Sequence, residues 1–299
     1  NKVVLAYRDV GNSSYGTAIV GTVSGTSISF GTPVVYESAT ANDNKCVYDS
    51  NVDRTVISYR DSGNSDYGTA VVGTVNGTVI AFGSPVLFKS GSVGYPQMIF
   101  DSTANKVVLA YQADGQGKAI VGTPSVGPNS ISFGSEATFL SSNVESIGLT
   151  FDSNANKHVV SYRNSGVDTE GYLNVGAVSG TSISFDSQVE FADVAVADTY
   201  AVFDGTSKKV IITYRDSGGS NVSTAVVFQN ASTDITRGSV ADGDNATVDI
   251  VGTVSSNQVS LTAGQQYYVQ TDGTIGTTPA DPSVLAGTAV SATKMVVKS

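Results

Sequence analysis

The stretch Thr55-Val56-Ile57-Ser58-Tyr59-Arg60-Asp61-Ser62-Gly63-Asn64-Ser65-Asp66-Tyr67-Gly68-Thr69-Ala70-Val71-Val72-Gly73-Thr74-Val75 decides how the chain is read, because it recurs with small changes. Two apolar, β-branched runs flank a Ser/Gly/Asn/Asp cluster, which is the pattern of two strands joined by a turn. Tyr7, Tyr59, Tyr111, Tyr162 and Tyr214 follow one another at steps of 52, 52, 51 and 52 residues. Phe30, Phe82, Phe133 and Phe185 keep this step. So do Tyr48, Phe100, Phe151 and Phe203, each of which precedes an acid: Asp49, Asp101, Asp152 and Asp204. A fixed period of this length marks a repeat architecture.

Each period holds four β-like runs, in the second period at residues 55–60, 68–75, 78–88 and 97–101. Four strands in about 50 residues, repeated, is the pattern of a β-propeller blade. Val107, Val108, Leu109, Ala110 and Tyr111 are apolar at successive positions, as expected of a strand covered on both faces by neighbouring sheets. Crossovers are expected at 89–95 and 141–146, which lack tight-turn residues. That makes the 97–101 run the inner strand and the 78–88 run the outer one. Complete blades are predicted near 44–88, 95–140 and 146–191. Asn1 opens at a second strand and the unit at 198–228 has no outer strand, so about five blade units are expected, two of them incomplete, with sequence upstream of Asn1. The propeller is assigned to residues 1–229. After it the repeat stops. Residues 230–299 are expected to form a small C-terminal β domain for attachment or oligomerisation, with strands at 246–254, 265–270 and 293–298 and a hairpin at Asp272-Gly273.

Composition agrees. The chain has 299 residues, 32 of them Gly, no Trp, 14% charged and 40% hydrophobic, so it lacks the Leu/Glu/Lys stock of amphipathic helices yet can bury a core. A net charge of -10 disfavours nucleic-acid binding, and no apolar run is long enough for a membrane-inserting helix.

The chemistry-bearing residues are few. His158 is the one histidine and occupies the repeat position of Val3, Thr55, Val107 and Val210, so it reads as a strand residue. One His and one Cys cannot make a zinc site of such ligands, and no nucleophile elbow or phosphate loop is present. Cys46 reads as a small core residue. The Tyr-Arg-Asp element recurs at Arg8, Arg60 and Arg215, becomes Arg163-Asn164, and lapses to Gln112-Ala113. Arginine clusters bind substrate carboxylates in sialidase propellers, but a residue present in nearly every unit answers a need that every unit shares. Tyr7, Arg8, Tyr59, Arg60, Tyr162, Arg163, Tyr214, Arg215, Asp49, Asp101, Asp152 and Asp204 are therefore read as structural repeat residues. An Arg60 bridge to Asp49 or Asp101 is expected. Asp61, Asn64 and Asp66 are the calcium candidates, although no turn has the full alternating ligand spacing. Glu37, Glu136, Glu145, Glu170 and Glu190 form a pair for glycoside cleavage only if folding brings two together. No catalytic residue and no cofactor are assigned.

Residues 59–75, followed by Gly77-Thr78-Val79-Ile80-Ala81-Phe82-Gly83-Ser84-Pro85-Val86, resemble repeats in virion-associated proteins of marine tailed bacteriophages, cyanophages among them. Leu261 to Thr274 and Pro282 to Lys294 are similar to the C-terminal segment of phage fibre or appendage proteins. The resemblance implies a non-enzymatic virion structural protein, a fibre, appendage or decoration, located on the virion or extracellular. Its implied partners are other virion proteins and host surface polysaccharide. It would form a homo-oligomer, a trimer by analogy. The alternatives are a secreted or cell-surface bacterial adhesin or lectin and a propeller glycosidase.

Overall fold

The computed structural model describes residues 1–125, 127, 129–219 and 221–230, then 254–255, 261–263, 265–269, 275–279, 285–291 and 294–297. It divides the chain into two units, Asn1–Asn230 and Ala231–Ser299.

The first unit is a β-propeller. Its first blade comprises β1 (Lys2–Asp9), β2 (Tyr15–Ser24), β3 (Ser27–Phe30) and the first half of β4 (Val34–Asp49). The second half of β4 is the inner strand of the next blade, followed by β5 (Arg54–Asp61), β6 (Tyr67–Asn76), β7 (Val79–Phe82) and β8 (Val86–Ser92). The third blade is β9 (Gly94–Asp101), β10 (Lys106–Ala113), β11 (Gln116–Pro124), β12 (Ile131–Phe133) and β13 (Ala137–Leu140). The fourth is β14 (Val144–Asp152), β15 (Lys157–Asn164), β16 (Gly171–Ser179), β17 (Ser182–Phe185) and β18 (Val189–Ala192). The fifth is β19 (Val196–Asp204), β20 (Lys209–Asp216) and β21 (Ser223–Phe228).

Inner strands touch in sequence, β4 with β9, β9 with β14 and β14 with β19, so the modules stack sideways about an axis. The blade limits match the expected ones to within a few residues. The outer strand differs: β6 pairs with both β7 and β8, because Gly83-Ser84-Pro85 interrupts the ribbon and proline has no N–H for the ladder. Between the first and second blades β4 runs on from one blade into the next without a loop.

The core is a series of layers between blades. Val56 packs with Leu109 and Tyr111, whereas Ile57 packs with Val20 and Tyr36, so successive residues of β5 serve opposite faces. The repeat tyrosine belongs to a clasp. Tyr59, Tyr111, Tyr162 and Tyr214 each pack on an outer-strand ring of the preceding blade, Tyr36, Phe88, Phe139 and Phe191, with centroids 5.2, 5.1, 5.3 and 5.4 Å apart. Each such ring pair adds about 0.5–1.5 kcal/mol beyond area burial. The outer-strand rings lie over Gly16, Gly68, Gly117 and Gly171, where a Cβ would collide with them. The fifth blade has Ser223 at this position, and no outer ring covers it among the described residues. Buried Tyr59 and Tyr111 donate their hydroxyls to Glu37 (2.9 Å) and Glu136 (2.8 Å), and Tyr162 donates to Asn174 (2.6 Å).

The second unit holds a sheet in the order β22 (Val254–Ser255), β26 (Lys294–Val297), β25 (Leu285–Ser291), β23 (Gln266–Val269), β24 (Ile275–Gly276). β23 and β26 fall in the predicted runs 265–270 and 293–298. Leu261 and Tyr267 are buried there, with Ile275 against them. Residues 246–253 and Asp272-Gly273 lie outside the described residues.

Candidate functional site

The two rims of the propeller follow from strand direction. Inner and second strands are antiparallel, so Asp49 stands opposite Arg54, and Asn42 opposite Arg60. The acids that end the inner strands sit at one rim, and the arginines that end the second strands sit at the other.

At the first rim the repeated acid caps its own turn. Asp49 accepts from the amides of Asn51 and Val52, Asp101 from Thr103 and Ala104, Asp152 from Asn154 and Ala155, and Asp204 from Thr206 and Ser207, all at 2.8–3.3 Å. Asp152 also accepts from Asn230 Nδ2 at 2.7 Å. This corrects the expected bridge from Arg60 to Asp49 or Asp101: Arg60 is at the far end of its strand and pairs with Asp43 (3.0 Å) and Asp66 (3.8 Å). His158 lies in β15 as predicted, fully buried, with Nε2 3.5 Å from Asp101 Oδ2 and its ring 4.9 Å from that of Phe151. Burial drives its pKa down to about 4, against the pull of Asp101.

At the second rim every inner strand bulges. The bulge residues are Asp43, Tyr95, Ser146 and Asp198, with φ of 53°, 51°, 50° and 52°, and the pairing register shifts beside each of them. The positions are repeat equivalents. At three of the four bulges the neighbouring arginine is held by a carboxylate: Arg60 by Asp43 at 3.0 Å, Arg163 by Glu145 at 3.0 Å and Arg215 by Asp198 at 2.9 Å. Arg8 in the first blade donates instead to Asn42 (2.9 Å).

The third blade breaks the series. Its bulge residue is Tyr95 and its arginine is replaced by Gln112, which donates to Asn143 at 3.2 Å. Its turn between second and third strands shrinks to Asp114 and Gly115, both with positive φ. Asp tolerates the left-handed region, but a bulky residue there is an outlier, and such strain gathers at functional sites. Tyr95 is 47% exposed. Partial burial raises its hydroxyl pKa; the charges of Glu145 and Asp43 push in the same direction and Arg163 opposes them. A tyrosine from the third blade therefore shares one electrostatic neighbourhood with a carboxylate from the second and an ion pair from the fourth. Arg163 Nε is buried without an acceptor among the described residues. We term this place the notch.

Other candidates resolve differently. Asp61 Oδ1 accepts from the amides of Gly63 (3.0 Å) and Asn64 (3.2 Å), and Asp66 accepts from Ser62 (2.5 Å), so the calcium candidates Asp61, Asn64 and Asp66 lie together in one capped turn. Of the five glutamates, Glu37 and Glu136 are bound by buried tyrosines and Glu145 by Arg163. Glu170 and Glu190 meet, with Asp193, close enough for one oxygen of each to lie within 4.8 Å of the others. Burial and those acids raise the Glu190 pKa, and Tyr172 donates to Asp168 (2.7 Å) and Glu170 (3.0 Å). A cavity of about 620 Å³ lined by Val3, Val4, Cys46 and Tyr48 lies beside β1, whose only strand partner among the described residues is β2. Burial pushes the Cys46 thiol up to about 11. Sequence reading missed Tyr95 and Asp43. The coupled change of Asp to Tyr95 and Arg to Gln112, one period from Asp43 and Arg60, is the signal that marks them.

No protein-family profile matches the chain, and no curated protein does. Among solved structures it is similar to an exo-β-1,3-galactanase from Phanerochaete chrysosporium, with TM-score 0.46, 9% identity, and coverage of 76% of this chain and 57% of that one. It is similar to a sialidase from Streptococcus pneumoniae, with TM-score 0.47, 12% identity and coverage of 72% and 36%. A thermostable family-43 glycoside hydrolase gives TM-score 0.39, 7% identity and coverage of 75% and 89%. The chain thus spans little more than half of the galactanase, and the likeness is one of fold. These findings correct the expectation of a non-enzymatic virion structural protein for host attachment: the structures named are carbohydrate-active enzymes on propellers, and none is a virion component.

Proposed function

We propose that this chain is a carbohydrate-active propeller enzyme that acts on a glycosidic bond at the notch over the third blade. The observation that carries the reading is Tyr95, exposed and left-handed at the one bulge of the described ring where the acid–arginine pair lapses. An aromatic face bordered by charge-assisted donors and acceptors suits a sugar ring, whose C–H face packs and whose hydroxyls bond sideways. Glycoside cleavage needs two carboxyl groups about the bond. Glu145 and Asp43 come from the blades on either side, each oriented by its own arginine at 3.0 Å. In this reading Tyr95 seats the ring and Arg60 and Arg163 fix the carboxylates and bind hydroxyls. The carboxylates exchange protons with the leaving oxygen and the incoming water.

The test is incubation of the full chain with β-1,3-galactan, xylan and sialylated glycans, followed by assay of new reducing ends and free sugar. Release from at least one is expected, falling about 100-fold or more in Glu145→Gln with an unchanged melting temperature. No release from any of them, or release undiminished in Glu145→Gln, overturns the proposal.

A further inference from the structure

The clefts between blades are not alike. The residue after each clasp ring on the outer strand is Glu37, Lys89, Leu140 and Ala192 in successive blades. Glu37 accepts from Tyr59 of the next blade at 2.9 Å. Lys89 reaches Asp114 at 2.5 Å and Glu136 at 3.3 Å, so a long charged side chain bridges the cleft between second and third blades. Leu140 cannot. Between third and fourth blades a cleft of about 480 Å³ stays open, within the range of small-ligand sites.

Its walls have a particular chemistry. Val167, 74% exposed, gives an apolar side above the buried Phe139 and Leu140. Ser142 and Gln188 give a hydroxyl and an amide, and the buried Asn174 beneath them is already engaged, accepting from Tyr162 at 2.6 Å and donating to the Asp186 carbonyl at 2.8 Å. Asn174 replaces an aliphatic residue of the repeat, as at Val71 and Ile120, and Gln188 stands where the preceding units have Pro33, Pro85 and Glu136. No Lys or Arg lines the cleft, which disfavours anions, and Asp186 is its single carboxylate, too few for a metal ion.

We propose that the cleft between the third and fourth blades binds a neutral saccharide unit, packing the sugar's C–H face on Val167 above Leu140 and bonding its hydroxyls to the Gln188 amide and the Ser142 hydroxyl. It shares no lining residue with Tyr95, Asp43, Arg60, Glu145 or Arg163, and it stands or falls apart from catalysis at the notch.

The experiment is titration calorimetry of the full chain with cellohexaose, xylohexaose, laminarihexaose and mannohexaose, in the Tyr95→Ala background so that the notch makes no contribution. At least one sugar is expected to bind. The paired change Leu140→Lys with Gln188→Glu rebuilds the Lys89–Glu136 bridge one blade on and should weaken that binding at least tenfold. Gln188→Ala, at an exposed position that does not threaten folding, should weaken it severalfold and decides the matter if the paired variant is unstable. Binding of none of the four sugars, binding lost through Tyr95→Ala alone, or binding unchanged by the Gln188 substitution overturns the proposal.

Discussion

At one rim of the propeller Asp49, Asp101, Asp152 and Asp204 do the same work in four blades, each closing its hairpin through two amides. At the other rim Asp43, Tyr95, Ser146 and Asp198 share a backbone conformation but not a side chain, and the arginine beside them lapses in the third blade. The first rim is under one constraint repeated, because every hairpin has the same orphan amides. The second is under that kind of constraint only for its backbone, which frees its side chains to differ. The proposed function is placed where the repetition lapses.

The largest effect expected from this contrast is at the constant rim. Asp152→Ala removes an almost fully buried carboxylate that accepts from two amides and from Asn230, and it should cost about 2–4 kcal/mol. Thermal unfolding of the full chain checks this, with glycan release by the surviving folded fraction unchanged.

His158 gives the next effect, in acid. Its folded pKa near 4 lies below the ordinary 6.5, so the unfolded chain binds the proton more readily between those values, and stability is lost as pH falls through that window. The loss amounts to roughly 3 kcal/mol. Valine is what the repeat itself has at Val107 and Val210, so His158→Val should fold well and show a shallower decline of melting temperature from pH 6.5 to 4. Equal slopes for both proteins would remove His158 from the account.

Gly117→Ala comes third. Its new Cβ would collide with the Phe139 ring, at a cost of about 1–3 kcal/mol, whereas Ser223→Ala at the equivalent uncovered position should stay within about 0.5 kcal/mol. The smallest stability effect belongs to the variable rim: Tyr95→Gly relieves the positive φ and should leave the melting temperature level or raise it by a degree or two, about 0.5–1 kcal/mol.

Much of this fold is legible before any coordinates, because Tyr59, Phe82 and Asp101 recur at one step and the runs between them are apolar on both faces. The clasp explains why tyrosine recurs: its ring packs on the preceding blade, while the hydroxyls of Tyr59, Tyr111 and Tyr162 find different acceptors in Glu37, Glu136 and Asn174. What was not legible is conformational. Asp43, Tyr95, Ser146 and Asp198 have no residue type in common, so nothing in the sequence announces a left-handed bulge. The arginine partner was misassigned for a related reason. Asp49 and Asp43 both precede Arg60 on one strand, and only the antiparallel register shows that the nearer in sequence is at the wrong end.

The most direct measurement restores the repeat at the notch. The variant Tyr95→Asp with Gln112→Arg gives the third blade the Asp43–Arg60 pair of the second. If the lapse makes the site, this protein keeps its melting temperature to within about a degree and loses glycan release at least 100-fold. Release at the parent rate from an intact fold would contradict the account, because the chemistry would then reside somewhere the repetition never lapsed.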